Sequence, residues 1–328
     1  MGLVIPTASP RALARVAKAT RLLGLQRDWI DPTVVAAGND VPTVTMPVAV
    51  GYTSTSPGTA PIASGVWRSL RRVASGIGSM DTGIAVDTTN DLLVELIGNP
   101  DVRYGTSFPD QLVARPQYLT GGTSQAARWS PIVRFVHTGT VVAVRTKANA
   151  TSMVYRARVN GRYVTTAMQT VSGLSAGSLY DLVLTFPGAG TRDIELEFAD
   201  SGIVGVCMAP TDSLHRPTTP RFTLAGFGDS ITGGAVGVQR QDTWLRYASD
   251  YLGARYVNLA IGGSGYIAGD GTNAFSQRLA DITRANPDAL VVFGGYNDVA
   301  SNSASVAASS LSFMTSVVNA LPNTLVIM

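Results

Sequence analysis

The apolar positions of this chain fall into two regimes. Between about 128 and 210 they come as short runs rich in β-branched and aromatic residues, at 141–146, 153–159, 162–166, 179–186 and 193–198, and each run predicts a strand. Asn160-Gly161 separates two of them, and the easy positive φ of that dipeptide suits a two-residue hairpin turn. Short strands at this spacing with no helix between them predict a β-sandwich over 128–210.

Beyond the proline-containing linker 211–220 the pattern becomes one of strands alternating with helices. Strands are expected at 222–227, 255–261, 289–293 and 324–328, with helices at 242–252 (capped by Asp242), 274–285 and 303–321. The order β-α-β-α-β-α-β predicts a parallel sheet over 221–328 with helices on both faces, because each parallel crossover needs a helix to return the chain. The fold class is therefore α/β, preceded by an all-β domain. In such parallel sheets ligands bind at the carboxyl ends of the strands.

The N-terminal part is less regular. Arg11, Arg15, Lys18 and Arg21 stand among small apolar residues at a spacing that suits a basic amphipathic helix for surface or assembly contacts, and 31–65 reads as an extended arm rich in Pro, Thr, Gly, Ser and Val. Together these make an arm over 1–65. Residues 66–127 form a mixed segment in which 66–73 and 91–97 are compatible with helix or strand. No internal repeat has a fixed period.

Composition narrows the function classes. At 328 residues and 45% hydrophobic there is material for two domains, and a disordered chain is excluded. The net charge is +3 with basic residues scattered, so no nucleic-acid partner is expected. Lys18 and Lys147 are the only lysines among 25 basic residues, which we read as the codon usage of a GC-rich genome rather than a binding device. Cys207 is the sole cysteine and His137 and His215 are isolated, so neither a disulfide nor a metal site is expected. No run approaches the ~18 apolar residues of a membrane span, and charges interrupt the N-terminus where a secretory signal would be continuous.

Three loops, each following a strand of the C-terminal region, carry the chemistry. Gly228-Asp229-Ser230-Ile231-Thr232 leaves a hydroxyl just past the first strand, where a nucleophile would stand. Asn258-Leu259-Ala260-Ile261-Gly262-Gly263-Ser264-Gly265 offers backbone N–H groups that a ligand could approach closely. Gly294-Gly295-Tyr296-Asn297-Asp298 places a carboxamide at the end of the third strand. Singly, each is also what an ordinary capping turn looks like.

Taken together, in this order and spacing, they resemble the nucleophile, glycine and Gly-x-Asn-Asp blocks of the SGNH hydrolases, the GDSL esterases and lipases. The resemblance covers about 221–328 and implies a flavodoxin-like three-layer domain. It implies Ser230 as the nucleophile, with its own N–H, the N–H of Gly263 and the side-chain amide of Asn297 as oxyanion donors, and Asp229 and Asp298 as groups that bond loop backbones. No cofactor or metal is implied. The family's Asp-x-x-His block, which supplies the base, has no counterpart here: no histidine follows His215, so the domain is expected to be incomplete at its C-terminus, as part of a longer protein or as a form that only binds.

Other candidates are set aside. His215 lies in the linker and His137 in the β domain, where each reads as an ordinary structural histidine. Gly173-Leu174-Ser175-Ala176-Gly177 matches a Gly-x-Ser-x-Gly elbow, but strands are expected on both sides, so Ser175 is read as a loop residue. The β domain is similar to the jelly-roll domains of two-domain carbohydrate esterases, and its Trp129, Tyr155, Tyr163 and Tyr180 read as core before sugar platforms. Residues 193–197 offer carboxylates without calcium-loop spacing. The reading that follows is a serine esterase removing O-acyl groups, O-acetyl in particular, from a polysaccharide or cell-envelope glycan. It would be extracellular or carried on a virion as a phage tail component, with trimers or virion partners. The alternative is a non-catalytic structural or receptor-binding protein.

Overall fold

The computed structural model of the protein describes residues 35–50, 59–68, 94–97, 101–105, 108–115, 132–148, 150–199, 201–218, 222–234, 242–269 and 273–328. The N-terminal basic helix expected within 1–27, the run 69–73 and Trp129 lie outside them. The chain divides into two compact units, one formed by Ile30–Gln117 with Ala127–Thr219, the other containing Pro220–Met328.

The first unit is all-β, as expected. Its strands are β1 (Thr43–Thr45), β2 (Val66–Arg68), β3 (Glu95–Ile97), β4 (Asp101–Gly105), β5 (Phe108–Arg115), β6 (Ile132–Ala148), β7 (Ser152–Val159), β8 (Arg162–Tyr163), β9 (Gln169–Ser172), β10 (Leu179–Ala199), β11 (Ser201–Met208) and β12 (Ser213–His215). The hydrogen bonds run through one antiparallel sheet with the path β4-β5-β11-β6-β10-β7-β8, and β1, β2, β3, β9 and β12 pair with β10, β11, β6, β7 and β6 of that path. The two runs expected at 179–186 and 193–198 are a single strand, β10, with a register shift between Thr185 and Gly190 opposite β6. That irregularity lets both long strands bend around one core, in which Val133, Phe135, Ile194 and Leu196 of one arm join Val142, Val144, Leu182 and Leu184 of the other.

Three expectations need correcting here. The β domain does not begin at 128: β1 of the arm pairs with β10, and β2, β3 and β5 of the mixed segment 66–127 pair with β11, β6 and β11. Such short strands are stabilised by distant partners, so local pattern could not identify them. Residues 213–215 are likewise strand rather than linker, paired with β6. The arginines are also more than codon usage. Arg134, Arg156 and Arg158 alternate with core residues and so lie on the opposite face of the sheet, where they meet Asp193, Glu197 and Glu195 of β10, and Arg145 meets Asp181. All four guanidinium groups are buried.

The second unit is a parallel sheet of β13 (Thr223–Gly228), β14 (Arg255–Asn258), β15 (Ala289–Phe293) and β16 (Leu325–Ile327), in the order β14-β13-β15-β16. Its helices are α1 (Ser230–Gly233), α2 (Trp244–Tyr251), α3 (Leu279–Ala285) and α4 (Ser303–Ala320). The expected β/α alternation is present, with local corrections. Thr243, not Asp242, caps α2, accepting from the N–H of Arg246 at 3.2 Å, and α3 is preceded by a 3-10 turn at Phe275–Arg278. Phe227, Phe275 and Phe313 pack ring on ring in the core with Val257, Leu290 and Val317. The central position of β13 brings the loops after β14 and β15 to either side of its end.

Candidate active site

Strand β13 ends where side chains no longer fit. Gly228 lies opposite Phe293 of β15, and a Cβ at 228 would overlap the Phe293 carbonyl oxygen and fall 2.6 Å from the Thr232 hydroxyl. That hydroxyl donates to the same carbonyl at 3.0 Å, which fixes α1 against the end of β15. Ser230 was expected in a loop and is instead the first residue of α1, half-buried, with Asp229 as the cap. The buried Asp229 carboxylate accepts from the N–H of Ile231 through Oδ1 at 2.9 Å, and Oδ2 has no partner among the described residues.

The second loop is fastened to that same strand end. The N–H of Ile261 donates to the carbonyl of Gly228 at 3.0 Å, and the buried Ser264 hydroxyl lies 2.6 Å from the Ile261 carbonyl and 3.2 Å from that of Gly228. Between these anchors Gly263 is exposed with φ +79°, a left-handed turn that favours glycine. Beneath the loop lies a fully buried arginine. Arg278 donates to the Leu259 carbonyl, reaches the Ser264 hydroxyl at 3.4 Å, pairs with Asp281 at 3.1 Å and covers the Phe227 ring with its guanidinium carbon 4.4 Å from the centroid. Burial pushes its pKa down to about 10, against the pull of Asp281.

The third loop grips the second. Asn297 donates its side-chain amide to the carbonyl of Ser264 at 2.8 Å. The buried carboxylate of Asp298 accepts three successive backbone N–H groups, from Tyr266 at 2.7 Å, Ile267 at 2.9 Å and Ala268 at 2.8 Å. Gly265 leaves the room for it, since a Cβ there would lie 2.5 Å from Oδ2 of that carboxylate. Burial, and then the charge of Asp298, raise the pKa of the Tyr266 hydroxyl.

The loops carrying Ser230, Gly263 and Asn297 thus leave the carboxyl ends of three adjacent strands and are tied to one another by hydrogen bonds. Asp229 and Asp298 both bond loop backbone. Sequence reasoning missed the parts played by Ser264, Thr232 and Arg278. Ser264 stood inside the glycine-rich block and drew no notice beside its glycines, and Arg278 was one position of an expected helix, with no local sign that it would point inward. The histidines lie in the other unit: His215 is in β12, its Nδ1 3.0 Å from the Arg216 carbonyl, and His137 is buried in β6 with Nε2 3.0 Å from Asp212. Ser175 lies in the loop between β9 and β10, and Tyr163 and Tyr180 are buried. Among the described residues no group of three or more His, Cys, Asp or Glu could hold a metal ion, and no helix is long and apolar enough to cross a membrane.

Comparison with known proteins agrees with this architecture. Residues 227–327 match the model of the GDSL-like lipase/acylhydrolase family. Among solved structures, a family two carbohydrate esterase from Cellvibrio japonicus is 13% identical with a TM-score of 0.53, covering 71% of this chain and 75% of its own. The acetyl xylan esterase Est2A from the rumen bacterium Butyrivibrio proteoclasticus is 15% identical with a TM-score of 0.52, over 71% and 76%. The salicylyl-acyltransferase SsfX3 of a tetracycline biosynthetic pathway is 18% identical with a TM-score of 0.54, over 74% and 73%. No curated protein matches the chain. The C-terminal unit, with its three loops on successive strand ends and its family match, is a GDSL-like lipase/acylhydrolase domain of the SGNH hydrolase type.

Proposed function

We propose that the C-terminal domain is a serine carboxylic-ester hydrolase acting on O-acyl groups of a glycan. The observation that carries the reading is the chain of hydrogen bonds from the Gly228 carbonyl through Ile261 and Ser264 to Asn297, which holds the three loops in one register. In this mechanism the Ser230 oxygen attacks the ester carbonyl carbon and the carbonyl electron pair moves onto oxygen. The N–H groups of Ser230 and Gly263 and the second amide hydrogen of Asn297, the first being held by Ser264, meet the developing charge. Collapse of the tetrahedral intermediate breaks the bond to the sugar oxygen, which leaves as the alcohol with the proton taken from Ser230. Water, giving a proton to the base that took the serine's, then attacks the acyl-enzyme and releases the carboxylic acid as Ser230 regains its proton. The serine proton passes to a histidine base, which residues 216–328 do not contain. Asp229 and Asp298 hold backbone rather than exchange protons with substrate.

The glycan as acceptor draws support from the likeness to the carbohydrate esterases and from the all-β domain that precedes the hydrolase domain. A place in a phage tail rests on the composition of the N-terminal region alone, of which Thr43–Thr45 pairs with β10 of the β domain. The test is turnover of a chromogenic ester by the intact gene product: Ser230→Ala is expected to lower it by at least about 10³-fold, and unchanged turnover would remove Ser230 from the mechanism.

A further inference from the structure

Several large apolar side chains in the segments that carry or adjoin Ser230 and Asn297 are exposed. Ile231, the residue after the serine, is 45% exposed, and Tyr296, the residue before the carboxamide, is 72% exposed. Val299, one turn on, is 84% exposed, and Phe293 and Ile267 are 48% and 39% exposed. These five side chains lie on segments that hydrogen bonds hold together: Thr232 ties the helix of Ile231 to Phe293 at the end of β15, and Asp298 ties the turn of Tyr296 and Val299 to Ile267. The only charged side chains in 228–232, 261–269 and 293–302 are Asp229 and Asp298, both buried against backbone N–H groups. Large apolar side chains gathered at a strand-end site gain free energy when an apolar ligand group covers them.

We propose that these side chains form the acyl-binding lip of the site, and that the acyl group taken is an uncharged apolar one larger than acetyl, aryl or short aliphatic. This rests on the ester-hydrolase reading above and names the acyl class that reading leaves general. An acetyl group extends only one carbon beyond the reacting carbonyl, whereas a ring or a chain of several carbons offers the area that side chains such as Tyr296 and Val299 could cover. A charged acyl group would meet no exposed counter-ion among the described residues of these three segments and would lose water without compensation there.

The test separates binding from turnover. The Ser230→Ala protein is titrated with methyl acetate, methyl hexanoate and methyl benzoate and followed by ligand-observed NMR. The two larger esters are expected to bind about tenfold or more tighter than methyl acetate, and Tyr296→Ala with Val299→Ser in the same background is expected to reduce that preference to about twofold. Both positions are exposed, so an unchanged thermal midpoint shows that the fold is retained. Benzoate ahead of hexanoate assigns the contact to the Tyr296 ring, and the reverse order assigns it to Ile231 and Val299; either supports the lip. Equal binding of the three esters, or a preference that survives the double substitution, overturns it, and so does a neutral methyl glycoside that competes as well as the larger esters. An acyl preference with no Ser230-dependent turnover in the unmodified protein supports the lip and counts against hydrolysis alone.

Discussion

The side-chain amide of Asn297 donates to the backbone carbonyl of Ser264 at 2.8 Å, across the gap between the loops that follow β15 and β14. A carboxamide carries two hydrogens on its nitrogen, and this bond uses one. The other is left in a direction set by the neighbouring loop rather than by the freedom of an Asn side chain. Preorganisation of this kind is what makes a fixed donor more effective than water at a developing oxyanion.

Asn297→Ala should therefore lower kcat about 10²- to 10³-fold on an ester substrate with KM little changed, because the donor acts on charge that is present only in the transition state. Steady-state kinetics of the intact gene product check this, and a rise in KM alone would assign Asn297 to ground-state binding.

Gly228→Ala should destabilise the hydrolase domain by about 3 kcal/mol, because the new methyl has to displace the Phe293 backbone rather than a flexible side chain. Denaturant unfolding measures it, and a loss below about 0.5 kcal/mol would show that the two strand ends can separate.

Asp298→Ala removes the acceptor from three successive, partly buried backbone N–H groups. A loss of about 2–4 kcal/mol is expected from unmet donors of this kind. Amide hydrogen exchange should show Tyr266, Ile267 and Ala268 losing protection while β15 keeps it. Uniform loss across the domain would make Asp298 a global rather than a loop-specific support.

Acid should weaken the β domain through His137. Burial lowers its pKa below the ordinary 6.5 in spite of the pairing with Asp212. Between the folded-state value and 6.5 the unfolded chain binds more protons, so stability is complete above pH 6.5 and falls as pH drops toward and through the folded-state value. The His137→Gln protein should show a shallower loss over that window when β-domain unfolding is followed as a function of pH.

Much of the hydrolase domain was legible because its strands and helices are local: helix-forming stretches stood between apolar runs, and the three blocks followed strand ends in order. The β domain was legible only in class. Pro187-Gly188-Ala189-Gly190 looked like a break between two strands, whereas β6 carries the pairing across it by supplying partners on both sides. The alternation of Asp193, Glu195 and Glu197 facing Arg156 and Arg158 was present in the sequence, yet it becomes an ion-pair face only once β7 and β10 are placed side by side. Ser230, Gly263, Asn297, Asp229 and Asp298 could be singled out because their residue types match a known chemistry at known spacing. Arg278 was not, since nothing about an arginine in a helix tells which carbonyls it will reach.

Covalent labelling tests the central claim most directly. The intact gene product is treated with a fluorophosphonate ester and digested, and the modified peptide is located by mass spectrometry. The account predicts phosphonylation at Ser230, slowed about 10-fold or more by Asn297→Ala and abolished by Ser230→Ala. Modification at another serine, or a rate that is indifferent to Asn297, would contradict it.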